Sequence, residues 1–71
     1  MNIRPGRYRH FKGNEYLVLG VARHSETLEE MVVYKALYGN GDVWVRPLSI
    51  WLEPAVLDGG EIERFQWIGE A

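Results

Sequence analysis

The segment that most constrains the fold is residues 31–52, read as MVVYKALYGNGDVWVRPLSIWL. Two runs rich in β-forming residues flank Gly39-Asn40-Gly41-Asp42. An Asn-Gly pair between such runs indicates a tight β-hairpin, because both central residues of a type I′ turn need a positive φ angle. The sequence therefore predicts a hairpin with Asn40 and Gly41 at its tip.

A turn at this tip determines which residues face each other across the hairpin. The predicted pairs are Tyr38 with Val43, Leu37 with Trp44, Ala36 with Val45, Lys35 with Arg46, and Tyr34 with Pro47. Side chains alternate across a strand, so the face with Tyr34, Ala36, Tyr38, Val43, Val45 and Pro47 is expected to be core. The opposite face carries Lys35 and Arg46, two opposed cations that repel each other unless water or an anion relieves them.

Strand patterns continue on both sides of this hairpin. Residues 7–11 and 61–68 alternate with period two, and residues 16–22 form a run that is apolar on both faces. Leu19 in this run is expected in the core with Tyr34 and Val45, and Gly20 suggests a bulge. Residues 23–30 read as a loop, and residues 50–52 as a strand or a single 3₁₀ turn. The predicted fold is all-β, a five-stranded antiparallel SH3-like barrel or strongly curled sheet with at most one short helical turn.

Length and composition limit the domain organisation. A chain of 71 residues with 46% hydrophobic and 13% aromatic residues can form one small domain, which we place over residues 1–71. The sequence has no cysteine, so it cannot form a disulfide or a thiolate zinc site. It starts without a signal-peptide pattern and has no apolar run long enough to span a bilayer. We therefore expect a cytoplasmic protein with no membrane partner.

Charge is unevenly distributed along the chain. Residues 1–12 hold four basic and no acidic side chains, whereas the remainder holds four basic and ten acidic ones. A basic segment can contact phosphates, but charged residues on a β-edge also discourage edge-to-edge pairing. The basic segment is therefore compatible both with phosphate binding and with a solvated strand edge.

The loop of residues 23–27 offers polar groups between two strands. It reads Arg23-His24-Ser25-Glu26-Thr27. These side chains could contact a ligand, or His24 could act as an acid or base oriented by Glu26. They could equally form a structural turn, with Ser25 or Thr27 bonded to the backbone and Glu26 paired with Arg23.

A metal site would need both histidines of the chain, His10 and His24, together with a carboxylate such as Glu26 or Glu53. Neither the HxH nor the HExxH spacing is present. We therefore predict no metal, no other cofactor and no catalytic residue.

The predicted ligand-binding set is anion-receptive. It combines Arg23, His24, Ser25, Glu26, Thr27, Lys35, Trp44 and Arg46. Arg46 offers a planar fork suited to carboxylate or phosphate, and Trp44 could stack against it. Affinity for an anion is expected to weaken as salt rises and as His24 loses its proton. Alternatively, Glu53 or Glu26 neutralises the two cations.

Several stretches together resemble the small bacterial family named domain of unknown function 1653. They are residues 6–13, 22–27, 33–34 with 37–38, 44–48 and 64–65, and Trp51 stands where phenylalanine is expected. The resemblance implies a self-contained bacterial cytoplasmic domain and supplies no established activity. Roles for His10, Arg23, His24 and Arg46 are therefore inferred from the residues themselves.

Three functional classes follow from these observations. The preferred one is a non-catalytic binding module for an anionic ligand, such as a nucleotide, nucleic acid or peptide carboxylate. The second is an enzyme, or an accessory to one, that uses His24 in acid or base chemistry. The third is a structural domain that binds another protein through an exposed strand edge.

Overall fold

The fold consists mainly of antiparallel β-strands. The computed structural model describes residues 3–71, and the first two residues of the domain placed over residues 1–71 lie outside that range. The elements in chain order are β1 (Gly6–His10), β2 (Glu15–Arg23), β3 (Glu30–Ala36), β4 (Val43–Pro47), α1 (Leu48–Leu52), β5 (Ala55–Leu57), β6 (Gly60–Ile62) and β7 (Phe65–Gly69). The mainly-β fold with one short helix is confirmed. Within residues 3–71, no helix is long and apolar enough to cross a bilayer.

Five of these strands form one curled sheet in the order β4-β3-β2-β1-β7. Among the described residues, no pairing joins the edge strands β4 and β7, so the sheet does not close into a barrel. The curl of the sheet brings its two edges near each other. The guanidinium carbon of Arg46 on β4 lies 5.2 Å from the ring centre of Phe65 on β7. The predicted bulge is confirmed by a register shift of β2 against β3 between Val18 and Gly20. We call the concave side of the sheet the trough.

The C-terminal part of the chain divides into more strands than the sequence predicted. Residues 61–68 were expected to form one closing strand, but β6 pairs with β5 in a separate hairpin and only β7 joins the main sheet. The turn of that small hairpin carries φ angles of 53° at Asp58 and 79° at Gly59, between the paired residues Leu57 and Gly60. Two consecutive positive φ angles are the signature of a type I′ turn.

The hairpin of β3 and β4 is present, but its register differs from the predicted one by three residues. The observed partners are Met31 with Pro47, Val32 with Arg46, Val33 with Val45, Tyr34 with Trp44, and Lys35 with Val43. Positive φ angles fall on Gly39 and Gly41, at 59° and 71°, rather than on the Asn40-Gly41 pair. Because a shift of three is odd, Lys35 and Arg46 lie on opposite faces of the sheet. The predicted opposition of these two cations is wrong.

Contacts within the hairpin and one contact with β2 explain its wider loop. The loop of residues 37–42 is closed where the Ala36 N–H donates to the Asp42 carbonyl oxygen at 2.9 Å. Lys35 Nζ donates to the Gly41 carbonyl at 2.7 Å, and the hydroxyl of Tyr38 lies 2.9 Å from that of Tyr16 on β2. A two-residue turn would forgo these contacts, so tertiary interactions override the local turn preference.

Aromatic rings fill the trough. The buried core cluster consists of Tyr8, Val18, Val32, Tyr34, Leu48, Trp51 and Phe65. Trp51 of α1 stacks on Phe65 of β7 with ring centres 3.7 Å apart and planes within 3° of parallel. Helix α1 follows directly after Pro47, and Leu48 and Trp51 point to the core because residues three apart share one face of a helix.

The register shift also changes which residues are buried. Tyr34 is in the core as predicted, whereas Val45 is 60% and Leu19 is 51% exposed, so both of those core predictions are wrong. Val45 lies opposite Val33 on the convex face. Leu19 is the residue skipped at the bulge. The fully buried valine of the hairpin is Val32, which is 0% exposed.

Truncation of the two hairpin valines should therefore have unequal effects. We expect Val32→Ala to lower the free energy of unfolding by about 1 to 3 kcal/mol, through lost burial and the cavity left behind. Val45→Ala is the matched control, and we expect a change within about 0.5 kcal/mol because its side chain is largely in water. Denaturant unfolding of both variants measures the difference. Equal losses would contradict the observed register.

Gly6 is the glycine at which a side chain meets most resistance. Its φ angle is 133°, and an added Cβ would lie 2.5 Å from the Gly69 carbonyl oxygen and 2.8 Å from Trp67 Nε1. We expect Gly6→Ala to cost about 2 kcal/mol or more, from backbone strain and the clash with β7. Gly20→Ala is the control, because nothing lies within 4 Å of a Cβ at that position. A thermal melt that shows no difference between the two variants would contradict this close approach.

Candidate functional site

A cavity of about 590 Å³ opens beside the trough, next to α1, the β5–β6 hairpin and β7. Its aromatic lining is Tyr8, Trp51, Phe65 and Trp67, and its charged lining is Arg4, Glu61, Glu63 and Arg64. This volume lies in the range of about 300 to 1,000 Å³ that is usual for small-molecule sites, which are mostly apolar with a few polar groups. Tyr8, Trp51 and Phe65 are buried, so Trp67 is the ring of this lining that is more than slightly exposed.

Ile3 and Arg4 line one side of this cavity, and the backbone of Arg4 and Pro5 is tied to the sheet. The Tyr8 hydroxyl donates to the Arg4 carbonyl oxygen at 2.6 Å, and Trp67 Nε1 donates to the Pro5 carbonyl oxygen at 3.1 Å. The Arg4 guanidinium lies 3.5 Å from the ring centre of Trp67. Burial raises the pKa of the Tyr8 hydroxyl above 10, although the contact with Arg4 opposes the shift. Tyr8 is therefore a neutral hydrogen-bond donor at neutral pH.

Three cations converge on His10, at the end of β1. Burial lowers the pKa of the His10 imidazole below 6.5, and the positive charges of Arg46, Arg64 and Lys12 lower it further. The Lys12 backbone N–H donates to His10 Nδ1 at 3.2 Å, so the neutral ring carries its proton on Nε2. We call these four residues the cation cluster. It is a site where a bound anion would be attracted and where His10 could donate a hydrogen bond.

The rings beneath the cation cluster hold its members in place. The His10 ring meets Phe65 edge to face at 4.9 Å and lies 4.5 Å from Phe11. The Arg46 guanidinium carbon lies 5.2 Å from the Phe65 ring centre and 6.0 Å from that of Tyr34. A guanidinium over an aromatic face is stabilised by the ring quadrupole and keeps donors available at its edges.

Arg64 connects the cation cluster to the cavity. Arg64 Nε donates to the Glu53 carbonyl oxygen at 3.1 Å, and its Nη2 lies 3.7 Å from Glu53 Oε1. Its side chain lines the cavity and also contributes to the field at His10. The sequence offered Glu53 as a partner for Lys35 and Arg46. In the structure, Glu53 pairs with Arg64.

The loop of residues 23–27 is arranged as a structural turn. His24 Nδ1 accepts from the backbone N–H of Glu26 at 3.1 Å and of Thr27 at 3.4 Å, and Thr27 Oγ1 accepts from the N–H of Glu29 at 3.2 Å. Arg23 Nη1 donates to the Leu28 carbonyl at 3.1 Å, and Leu28 has a φ angle of 63°. The residues from Arg23 to Glu29, Ser25 included, are exposed. These contacts favour the turn interpretation, and a role of the loop in binding stays a prediction.

The structure brings together only part of the predicted ligand-binding set. Arg46 and Trp44 share one face of β4, and Trp44 is 53% exposed at the sheet edge. Lys35 lies on the opposite face, where it bonds to Gly41. The loop of residues 23–27 starts at Arg23, the last residue of β2. Along the sheet, Arg23 is four rungs from the Tyr34–Trp44 pair and two rungs from the Val32–Arg46 pair.

Sequence reasoning missed His10, Lys12 and Arg64 as members of an anion-receptive site. Period-two alternation in β1 does place Tyr8 and His10 on one face, and β7 begins at Phe65 directly after Arg64. The convergence of these residues on Arg46 depends on the curl of the whole sheet, which no local pattern reports. Within residues 3–71, no three histidine or carboxylate side chains come together as metal ligands would.

The fold and the trough define a small, mainly-β domain with one curled antiparallel sheet. The chain belongs to the family described as protein of unknown function (DUF1653), whose model matches residues 6–67. It is similar to a protein of the same family from Bordetella bronchiseptica known from a crystal structure, with 44% sequence identity and a TM-score of 0.88. That match covers 97% of this chain and 91% of the other. A comparison with curated proteins finds no match.

The lowered pKa of His10 makes stability depend on pH. A histidine whose pKa is lower in the folded than in the unfolded chain stabilises the fold above pH 6.5, and this contribution is lost as the pH falls through the folded pKa. We expect the free energy of unfolding to fall between about pH 7 and pH 5, and to fall less in His10→Gln. His24→Gln is the control, because His24 is exposed in its loop. Identical pH profiles for wild type and His10→Gln would contradict the cation cluster.

Proposed function

We propose that this domain is a non-catalytic binding module for an anionic ligand that carries phosphate, such as a nucleotide. The observation that supports the proposal is the position of three cations around two rings that His10 contacts, Phe11 and Phe65. Arg46 lies 5.2 Å from the Phe65 ring centre, and Lys12 and Arg64 lie 5.8 and 5.9 Å from that of Phe11. Side chains of like charge gather at one place at an electrostatic cost. Glu53 offsets part of that cost at Arg64, and a bound anion offsets more of it. Arginine forks and a histidine N–H form charge-assisted hydrogen bonds with phosphate oxygens.

The adjoining aromatic surface suits a nucleotide better than a bare anion. Arg64 and Phe65 belong both to the surroundings of the cation cluster and to the lining of the cavity. A ligand with phosphate at the cluster can therefore place a flat ring in the cavity against the Arg4 guanidinium, which itself lies 3.5 Å from the Trp67 ring centre. Stacking on aromatic side chains contributes about 1 to 3 kcal/mol per base in single-strand binding sites. Nucleic acids and peptide carboxylates share the anionic group and are tested in the same panel.

The enzymatic alternative receives less support from the contacts of His24. Its Nδ1 lone pair is engaged by two backbone N–H groups, which leaves the neutral ring with a proton on Nε2. In this loop, Nδ1 of the His24 ring is occupied as an acceptor and Nε2 is a hydrogen-bond donor, so neither nitrogen is open to accept a proton from a substrate. We further propose that the domain acts in the bacterial cytoplasm, in line with a chain that has no cysteine, and that its sheet is an SH3-like barrel left open between β4 and β7.

The test is a ligand screen by chemical-shift perturbation with inorganic phosphate, mononucleotides, single-stranded DNA, RNA and a carboxylate peptide. We expect a phosphate-bearing ligand to shift the resonances of His10 and Arg64. Arg46→Ala and Arg64→Ala should each weaken binding about tenfold or more, because a hydrogen bond to a charged group contributes about 1.5 to 3 kcal/mol. Arg46→Lys should also weaken phosphate binding, since lysine keeps the positive charge but lacks the planar guanidinium that donates two parallel hydrogen bonds.

Lys35→Ala is the matched control, because it removes one cation from the convex face. Binding by wild type should weaken as salt rises, because ions screen the attraction between phosphate and the cation cluster. Equal affinities for wild type, Arg46→Ala and Arg64→Ala, all correctly folded, would place any binding site elsewhere.

A further inference from the structure

Strand β4 presents an open edge of the main sheet. Among residues 3–71, its one strand partner is β3, and β4 is the first strand in the sheet order. Val43, Trp44 and Val45 are 56%, 53% and 60% exposed. An exposed edge with apolar side chains is a template for pairing with another strand. Charged residues discourage pairing at many such edges, but the first three residues of β4, Val43 to Val45, carry no charge.

The backbone groups that face outward can be assigned from the ladder with β3. The Ala36 N–H donates to the Asp42 carbonyl, and the same register pairs Tyr34 with Trp44 and Val32 with Arg46. In an antiparallel ladder, alternate residues turn their N–H and C=O groups to the same neighbour. Residues 42, 44 and 46 therefore bond towards β3. Val43 and Val45 direct their N–H and C=O groups out of the sheet.

The sequence of this edge is its own complement under two-fold symmetry. It reads Asp42-Val43-Trp44-Val45-Arg46, with an acid and a base at equal distances from the central tryptophan. In an antiparallel pairing centred on Trp44, Val43 faces Val45 of the second copy, and each such pair exchanges two backbone hydrogen bonds. Trp44 then faces Trp44 of the second copy, and Asp42 faces Arg46 of the second copy.

We propose that the β4 edge pairs with the β4 edge of a second copy of this chain, joining the two five-stranded sheets into one. The occupant is a second copy because of this charge complementarity, since a generic peptide strand would supply neither the acid nor the base at these positions. Pro47 ends the paired segment, because proline has no N–H to donate. The pairing and the ligand site of the cation cluster share Arg46, whereas the backbone hydrogen bonds of Val43 and Val45 belong to the pairing alone.

Five residues per chain make a small interface, which belongs to the weak class. We expect a monomer–dimer equilibrium that sedimentation equilibrium resolves between about 10 µM and 1 mM protein. Val45→Pro removes one outward N–H and leaves the groups that bond to β3 in place, so it should weaken dimerisation at least tenfold with the fold intact. Val56→Pro is the matched control, because Val56 is 70% exposed on β5 and away from this edge.

Exchange of the two charges gives a second and independent test. Asp42→Arg and Arg46→Asp should each weaken self-association, because like charges then face each other across the two-fold axis. A mixture of these two variants should form a heterodimer, since every Asp then faces an Arg. If Arg46→Asp fails to fold, Asp42→Arg alone carries the test, since Asp42 is exposed in the loop before β4.

Two results would overturn the proposal. One is a wild-type protein that stays monomeric at about 1 mM, a concentration at which even weak interfaces are populated. The other is a dimer that Val45→Pro leaves unchanged and that Leu19→Lys dissociates. Leu19 is 51% exposed at the bulge of β2, so that outcome would assign the interface to that part of the sheet instead of its edge.

Discussion

The stack of Trp51 on Phe65 is the interaction on which the rest of the structure depends. It joins α1 to β7, and both rings also contact Tyr34 of β3. Tyr8 of β1 meets Trp51 edge to face, and Tyr16 of β2 meets Phe65 in the same way. The pair therefore connects β7, to which Phe65 belongs, with residues of β1, β2 and β3. Because the same Phe65 ring supports Arg46 and His10, the core and the candidate site share a side chain.

Much of the fold follows from patterns in the sequence, because strand signals are local. Alternation located β1, the apolar run located β2, and Gly20 marked the bulge. The register of β3 against β4 did not follow, since the Asn40-Gly41 signal competed with contacts made by Lys35 and Tyr38. The Asp58-Gly59 pair carries consecutive positive φ angles instead. A turn signal reports what a dipeptide can adopt, and tertiary contacts decide whether it does.

The candidate site was harder to predict than the fold, because its members come from separate strands. Arg46 and Trp44 were correctly placed on one face, since residues two apart in a strand always share a face. Lys35 was assigned to that face through a register that the structure corrects. His10 and Arg64 reach Arg46 only because the two edges of the sheet curl towards each other, and the degree of curl depends on the packing of Trp51 and Phe65.

The close approach of Gly6 to Gly69 also determines where the two ends of the sheet region lie. Arg7 pairs with Gly69, and Arg7 Nε donates to the Glu70 carbonyl oxygen at 3.2 Å. The chain therefore enters and leaves the sheet at the same corner. A domain with adjacent ends can be inserted into a loop of a larger protein, or be circularly permuted, without stretching either strand. This geometry makes the fold suitable as a transferable unit in protein engineering.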